Sequence, residues 1–311
     1  MKPTIVRSFF LGCLFFVCSF VAVARPTADT TVQNTLLWKI SGKGLAKPSY
    51  LFGTTHLVCK ADLGILLPAA LKKAILSANE AVFEVYNDDP DKMAKESMQA
   101  NLMRGHMTLD SLVSPQEMDT INRYFKANPI KGAIYQMLKE TKPVLVAGMI
   151  GKKRMLCEGE QTSMEEELQY LARLFYKPCS GLSTYTEQMS YLDSVPYRDQ
   201  AKMLLGVIRK LNNPDINAKQ DNYSIQKLYE LYKQQKATEL FKGINADTKL
   251  NDPWVKFVRD DRNLLWVPRI EEKIKQNSAF IAVGFAHLLG DKGLLQLLRN
   301  KGYTVEGVVN N

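Results

Sequence analysis

Three histidines occur in the 311-residue chain, and two of them close the same phrase, a short apolar run followed by Gly-x-x-His: Tyr50-Leu51-Phe52-Gly53-Thr54-Thr55-His56 and Phe280-Ile281-Ala282-Val283-Gly284-Phe285-Ala286-His287. Imidazole titrates near neutral pH and is the commonest metal-binding side chain, so a repeated histidine ending a repeated phrase is where chemistry is sought first. An apolar run ending in Gly reads as a buried strand entering a tight turn. That puts each His just past the carboxyl end of a strand, the usual ligand side of an α/β sheet. The two histidines are 231 positions apart, so only a closed fold can join them. The plainer alternative is that each imidazole caps a strand or fills a polar gap.

Glu84 is the third candidate, the one acid inside Ala81-Val82-Phe83-Glu84-Val85. A carboxylate in an apolar strand is costly to bury unless it is paired, hydrogen-bonded or metal-bound. It is therefore a ligand or general base, or it points outward from a half-buried strand. His106, in Met103-Arg104-Gly105-His106-Met107, sits in a polar turn and receives no role.

The elements that position these residues lie at the two ends of the chain. Leu36 to Ser41 and Ser49 to Phe52 read as a hairpin around Gly42-Lys43-Gly44. Pro68 opens a helix through Ala78, and the strand carrying Glu84 follows. From Asp91 to about Asn277 apolar residues recur at three- and four-residue steps with repeated Pro breaks, the pattern of a helical insertion with one strand near Pro178 to Leu182. Within it Tyr223 to Phe241 reads as a charged, solvated, Tyr-rich helix, and Tyr185, Tyr191 and Tyr197 as scattered packing residues. After Ser278 come a strand at Phe280 to Val283, a helix at Lys292 to Asn300 and a strand at Tyr303 to Val309. The expected fold class is α/β, with a sheet built from the N- and C-terminal segments and a large helical insertion, about 91–277, between them.

Lys2 and Arg7, the apolar run Ser8 to Val21 and the small-x-small ending Val21-Ala22-Val23-Ala24 form the pattern of a signal peptide cleaved after Ala24. The expected location is the periplasm or the exterior, with residues 25–311 as the mature domain. Removing two basic residues and no acids lowers the formal net charge from +9 to +7. The basic residues are dispersed in runs such as Lys152-Lys153-Arg154 rather than gathered in an Arg-rich, aromatic-interleaved stripe, which argues against nucleic acid as a partner. Membrane contact is expected only through an uncleaved leader or weak surface charge. Cys59, Cys157 and Cys179 survive cleavage, and Cys157–Cys179 is the expected disulfide in an oxidising compartment. Cys59 is read as a small packed hydrophobe, with a metal-ligand role as the alternative.

The phrases Leu37-Trp38-Lys39-Ile40, Gly53-Thr54-Thr55-His56, Val82-Phe83-Glu84-Val85, Arg262-Asn263 and Val283-Gly284-Phe285-Ala286-His287-Leu288-Leu289-Gly290 resemble the TraB/GumN family, relatives of the TIKI metalloproteases. The resemblance implies a divided sheet fold akin to erythromycin esterases and ChaN-like haem-binding proteins. It also implies a divalent-metal site for peptide cleavage with His56, Glu84 and His287 at its core and Arg262 and Asn263 at its edge. One position departs from the pattern. Where the family has a Leu-Glu-Thr phrase before a Glu-Gln pair, this chain has Leu182-Ser183-Thr184 before Glu187-Gln188.

Two imidazoles and a carboxylate suffice to hold Mn, Co or Zn with a coordination position left for water, whose pKa would fall toward about 7. Arg262 can stabilise charge on a tetrahedral intermediate or form a salt bridge to Asp260 or Asp261, and Asn263 can orient water or cap a helix. The leading expectation is an exported metal-dependent peptide hydrolase acting on a peptide or protein substrate. The alternatives are a metal-independent esterase-type hydrolase and a non-catalytic envelope protein binding haem or a small ligand.

Overall fold

The structure, a computed structural model, describes residues 33–128, 132–151, 157, 159–213, 224–246 and 252–309. The leader read in residues 1–24 and the run Lys152-Lys153-Arg154 lie outside the described residues. Strands β1 (Leu37–Ser41) and β2 (Ser49–Thr54) form the first hairpin. Its turn, Gly42-Lys43-Gly44, takes left-handed φ at all three residues, 81°, 48° and 77°, a demand that two glycines meet without strain.

Strands β3 (Val58–Cys59), β4 (Glu80–Val85), β5 (Gln161–Thr162), β6 (Cys179–Ser183), β7 (Ala279–Gly284) and β8 (Thr304–Gly307) follow in chain order. The main sheet runs β6-β4-β7-β2-β1-β8. Its inner members β4, β7 and β2 pair in parallel, as does β6 with β4, while β1 is antiparallel to both neighbours. β7 is fully apolar up to Gly284 and buried along its length, as a parallel strand covered on both faces should be. The fold is mixed α/β. The sheet is not built from the chain ends alone, because β6, from the middle of the insertion, pairs with β4 in the register Ala81↔Cys179 and becomes one edge.

The helices before β4 are α1 (Leu63–Leu66) and α2 (Ala69–Ser77). Between β4 and β7 lie α3 (Pro90–Ala100), α4 (Pro115–Ala127), α5 (Gly132–Glu140), α6 (Pro143–Gly151), α7 (Met164–Leu174), α8 (Tyr185–Leu192), α9 (Tyr197–Asn212), α10 (Ile225–Lys233), α11 (Ala237–Ile244) and α12 (Asp261–Gln276). Helix α13 (Leu294–Asn300) precedes β8. A π-helical run, Trp254–Asp260, leads directly into α12, and such wide turns recur at functional sites.

Two apolar cores result. The larger wraps the sheet and includes Trp38, Phe83, Leu168, Trp266 and Phe280. The smaller joins α4, α6 and α9 through Ile121, Phe125, Val146, Leu204 and Ile208. Lys142, at the start of α6, is buried; its ammonium donates to the carbonyls of Ala100 and Leu102 and lies 3.1 Å from Asp193. A buried cation with this full set of partners ties α3, α6 and the end of α8 together.

The disulfide joins Cys59 to Cys157, with Cα atoms 6.2 Å apart, and not Cys157 to Cys179. The reason is β pairing. Antiparallel β3 and β5 set Cys59 opposite Gln161, four residues after Cys157, whereas Cys179 is held on the sheet edge in β6 as the free thiol among the described residues. The bridge closes a loop of 98 residues, for which chain entropy gives about 4.7 kcal/mol. Peptide mapping without reduction is expected to recover Cys59 linked to Cys157. Cys157→Ser is expected to cost about 2–5 kcal/mol in denaturant unfolding, and Cys179→Ser far less; the reverse ranking would refute this pairing.

Candidate functional site

The parallel register Thr54↔Gly284 sets the carboxyl ends of β2 and β7 side by side, and β4 lies along the other edge of β7. The two Gly-x-x-His phrases and Glu84 therefore leave one end of the sheet together, the end where open α/β sheets place their ligands. Close approach explains the motif glycines. A Cβ on Gly53 would sit 2.7 Å from Leu288 Cδ1, and one on Gly284 would sit 3.1 Å from Glu84 Oε1.

Glu84 is the hub of a buried network. Its Oε1 accepts the Gly284 N–H at 2.6 Å, and its Oε2 accepts from Arg262 Nη2 at 2.6 Å. Burial pushes the carboxyl up, but Arg262, with His287 and the Gly284 amide, outweighs it and holds the pKa down at about 2. Arg262 is equally committed. Nη2 also donates to Gln188 Oε1 at 3.0 Å, Nη1 donates to Val258 O and faces His287 Nε2 at 3.4 Å, and the guanidinium lies 4.3 Å over the Trp266 ring.

His287 is 7% exposed. Its Nδ1 lies 2.7 Å from Asn263 Oδ1, while Asn263 Nδ2 donates to the carbonyls of His287 and Lys292 at 3.0 and 2.8 Å. Since the amide nitrogen faces carbonyls, Oδ1 is the acceptor, so His287 carries its proton on Nδ1 and a lone pair on Nε2. Burial drives its pKa down to about 3, with Glu84 opposing and Arg262 reinforcing. The imidazole is neutral at physiological pH.

His56 is placed differently. Its side chain is 83% exposed, with Nδ1 3.5 Å from Glu165 Oε1. Glu165, in the first turn of α7, also accepts from Thr54 Oγ1 at 2.8 Å and Ser163 Oγ at 3.0 Å. Burial raises the Glu165 carboxyl, but the hydrogen bonds from His56 and Thr54 lower it by more, and the net shift is downward. His56 stands on a cleft of about 350 Å³ whose walls include Tyr229, Tyr232, Leu240, Phe285 and Ala286.

The candidate residues thus fall into two groups. Glu84, Arg262, Asn263 and His287 form one buried network, and His56 pairs with Glu165 beside it. Arg262 bonds neither Asp260 nor Asp261: Asp260 pairs with Arg259 and Asp261 with Lys256. Arg262 and Asn263, 4% and 0% exposed, are buried and bonded within this network. The proposed metal trio His56, Glu84 and His287 does not close on a common point. Both Glu84 oxygens are engaged, a guanidinium faces His287 Nε2, and no group of three or more His, Cys, Asp or Glu suited to a metal occurs among the described residues. Cys59 is oxidised and supplies no ligand.

At the departing position Ser183 Oγ accepts the Trp266 indole N–H at 2.9 Å. Of the Glu-Gln pair that follows, Gln188 turns inward to Arg262, and Glu187 grips Arg269 through two bonds of 2.7 and 2.8 Å. Several site residues escaped the sequence reading. Glu165 lies in a run of three acids at a helix start, where nothing marks which one faces inward. Trp266 had a signal, its i+4 spacing from Arg262, which puts both on one helical face. Tyr229 and Tyr232 share a face of α10; Tyr232 donates to Gly53 O, and Tyr229 accepts the Cys59 N–H and donates to Asp62, each at 2.9 Å. The helix read as solvated is therefore fastened to the first histidine phrase. Tyr185 and Tyr197 are likewise anchors, donating to Asn101 at 2.7 Å and Asp193 at 2.5 Å.

Fold and site together define a mixed α/β protein with histidine and acid pairs at the carboxyl ends of parallel strands. Residues 36–307 match the TraB/PrgY/gumN family model, and the chain belongs to this family. It is similar to "Metalloprotease TIKI2" of Danio rerio, with 24% identity over 354 aligned residues spanning 95% of this chain and 67% of the relative. No solved structure matches the chain.

Arg262→Leu leaves the Glu84 carboxylate buried without its partner and is expected to cost about 3–5 kcal/mol in unfolding free energy, with part restored in Glu84→Leu/Arg262→Leu; additive losses in the double variant would contradict the pairing. Glu84 and His287 both bind fewer protons folded than unfolded at acid pH, so stability falls as pH drops. The loss starts near the ordinary His value of 6.5, through His287, and runs on from 4.5 toward 2 through Glu84. Thermal unfolding of His287→Asn is expected to show a flatter slope between pH 6.5 and 4.5 than the wild type, and an unchanged slope would refute the burial of a neutral imidazole.

Proposed function

We propose that the protein is a hydrolase of peptide bonds in which His56 is the general base and Glu165 orients it. The observation that carries this reading is His56, exposed on a cleft with the mostly buried Glu165 at its Nδ1, the Gly284 wall of that cleft being held by Glu84. A carboxylate at Nδ1 fixes the proton there, leaves Nε2 as the lone-pair nitrogen and favours the imidazolium once it forms. Nε2 takes a proton from water, the resulting hydroxide adds to the carbonyl carbon, and the imidazolium returns the proton to the departing nitrogen. Glu84, Arg262, Asn263 and His287 act as positioning residues: Glu84 holds the Gly284 amide, and Asn263 holds the backbone at His287, on either side of the cleft residues Phe285 and Ala286.

The name of the zebrafish relative, a metalloprotease, favours a metal ion, and imidazole and carboxylate donors suit Mn, Co or Zn. As arranged, these donors stand in two pairs and do not fit around one ion, so no step above runs through a metal. An exported location, expected from residues 1–24, belongs to the same proposal. Among the described residues no helix is long and apolar enough to cross a membrane.

The test is turnover of a peptide library by protein dialysed against chelator, alongside His56→Ala and Glu165→Gln. Cleavage is expected to survive chelation, to fall about 10²–10⁴-fold in His56→Ala and to fall less in Glu165→Gln. Unchanged turnover in His56→Ala would eliminate His56 as the base. Activity that appears only with added Mn, Co or Zn would replace this mechanism with metal-assisted hydrolysis.

A further inference from the structure

We infer that the cleft on which His56 stands is a specificity pocket for a large uncharged apolar side chain of the substrate, of the Phe or Leu type, next to the bond that is cut. The inference deepens the peptide-hydrolase reading by naming the substrate class, and it rests on that reading for the peptide that carries the side chain.

The cleft, of about 350 Å³, is lined by His56 and by apolar side chains of graded exposure. Leu240 and Phe285 are buried, Leu228 is half-buried, and Ile225 and Ile244 are each 37% exposed. Single exposed apolar side chains are ordinary on a protein surface. Here Ile225, opening α10, and Ile244, closing α11, border the same concavity, and an apolar surface gathered in this way marks a place of contact.

The polar groups of the cleft are already engaged. The Tyr229 hydroxyl accepts the Cys59 N–H and donates to Asp62, Tyr232 donates to Gly53 O, and Thr54 Oγ1 donates to Glu165. The two tyrosines therefore offer ring surface. Among the described residues the lining contains no Asp, Glu, Lys or Arg, and His56 has Glu165 at 3.5 Å from its Nδ1. An acidic or basic substrate side chain entering the cleft would give up water without gaining an ion pair. The same lack of a cation disfavours a fatty acid, whose carboxylate would go unmatched. An uncharged aliphatic or aromatic side chain has no such cost, and burying it favours binding. Because His56 belongs to the lining, a side chain seated there holds its own peptide bond near the proposed base.

The experiment measures equilibrium binding of acetylated, amidated Gly-Gly-X-Gly-Gly peptides, with X as Phe, Leu, Glu or Lys, to full-length His56→Ala protein, which keeps the peptides whole. The Phe and Leu peptides are expected to bind about tenfold or more tighter than the Glu and Lys peptides. Ile225→Glu and Ile244→Glu, at partly exposed positions, are expected to weaken binding of the Phe peptide and strengthen that of the Lys peptide; a gain of binding cannot come from misfolding. The inference is overturned by Lys or Glu peptides that bind as tightly as Phe, by an order of preference unchanged in both variants, by no binding of any of the four, or by octanoate binding where the Phe peptide does not. Wild-type cleavage of the same peptides is assayed separately. Apolar-selective binding without cleavage sinks the hydrolase reading alone, and cleavage of all four peptides at equal rates sinks this inference alone.

Discussion

The buried ion pair between Glu84 and Arg262 is the constraint on which the site is built. A carboxylate in an apolar parallel strand is tolerable only with a cation and a backbone donor aimed at it, and here the two come from consecutive elements about 200 residues further along the chain: Arg262 from α12 and the Gly284 amide from the end of β7. Each partner is in turn spoken for. Arg262 lies against Trp266 and Gln188, and Trp266 against His287 and Ser183. The network has little freedom, so its pKa shifts report structural commitment rather than readiness for proton transfer. A histidine held down at about 3 is a poor base at neutral pH.

This divides labour between two histidines that the sequence presents as equals. His287 is buried, neutral and fixed in one tautomer by Asn263. His56 is exposed on a cleft with Glu165 at its Nδ1. The parallel register of β2 and β7 brings their phrases level, but the turns that follow send one imidazole inward and the other out. The helical pair α10 and α11 completes the cleft, and α10 is fastened by Tyr232 to the carbonyl of Gly53, which ties the wall to the histidine phrase.

The insertion also does more than cover the sheet. It contributes the edge strand β6, the cysteine that bridges to Cys59, and Glu165. Its second apolar core joins α4, α6 and α9, and the partnered ammonium of Lys142 ties that region to α3 and the end of α8.

The sequence by itself determined the six strands of the main sheet, the helical middle, the glycines that end two of those strands and the singular position of Glu84, because each is written in local pattern: apolar runs ending in Gly, recurrence at three and four residues, and one acid where apolar residues belong. Arg262 and Asn263 were legible as site residues, though not as buried members of a network whose bonds run to Glu84, Gln188 and His287. Tertiary structure alone decided the pairing of Cys59 with Cys157, the inward turn of His287 against the outward turn of His56, the choice of Glu165 among three adjacent acids, and the place of β6 at the sheet edge. Each of these depends on which distant segments pack together. Periodicity reports which face of an element is apolar, but it carries no information about the partner that covers that face.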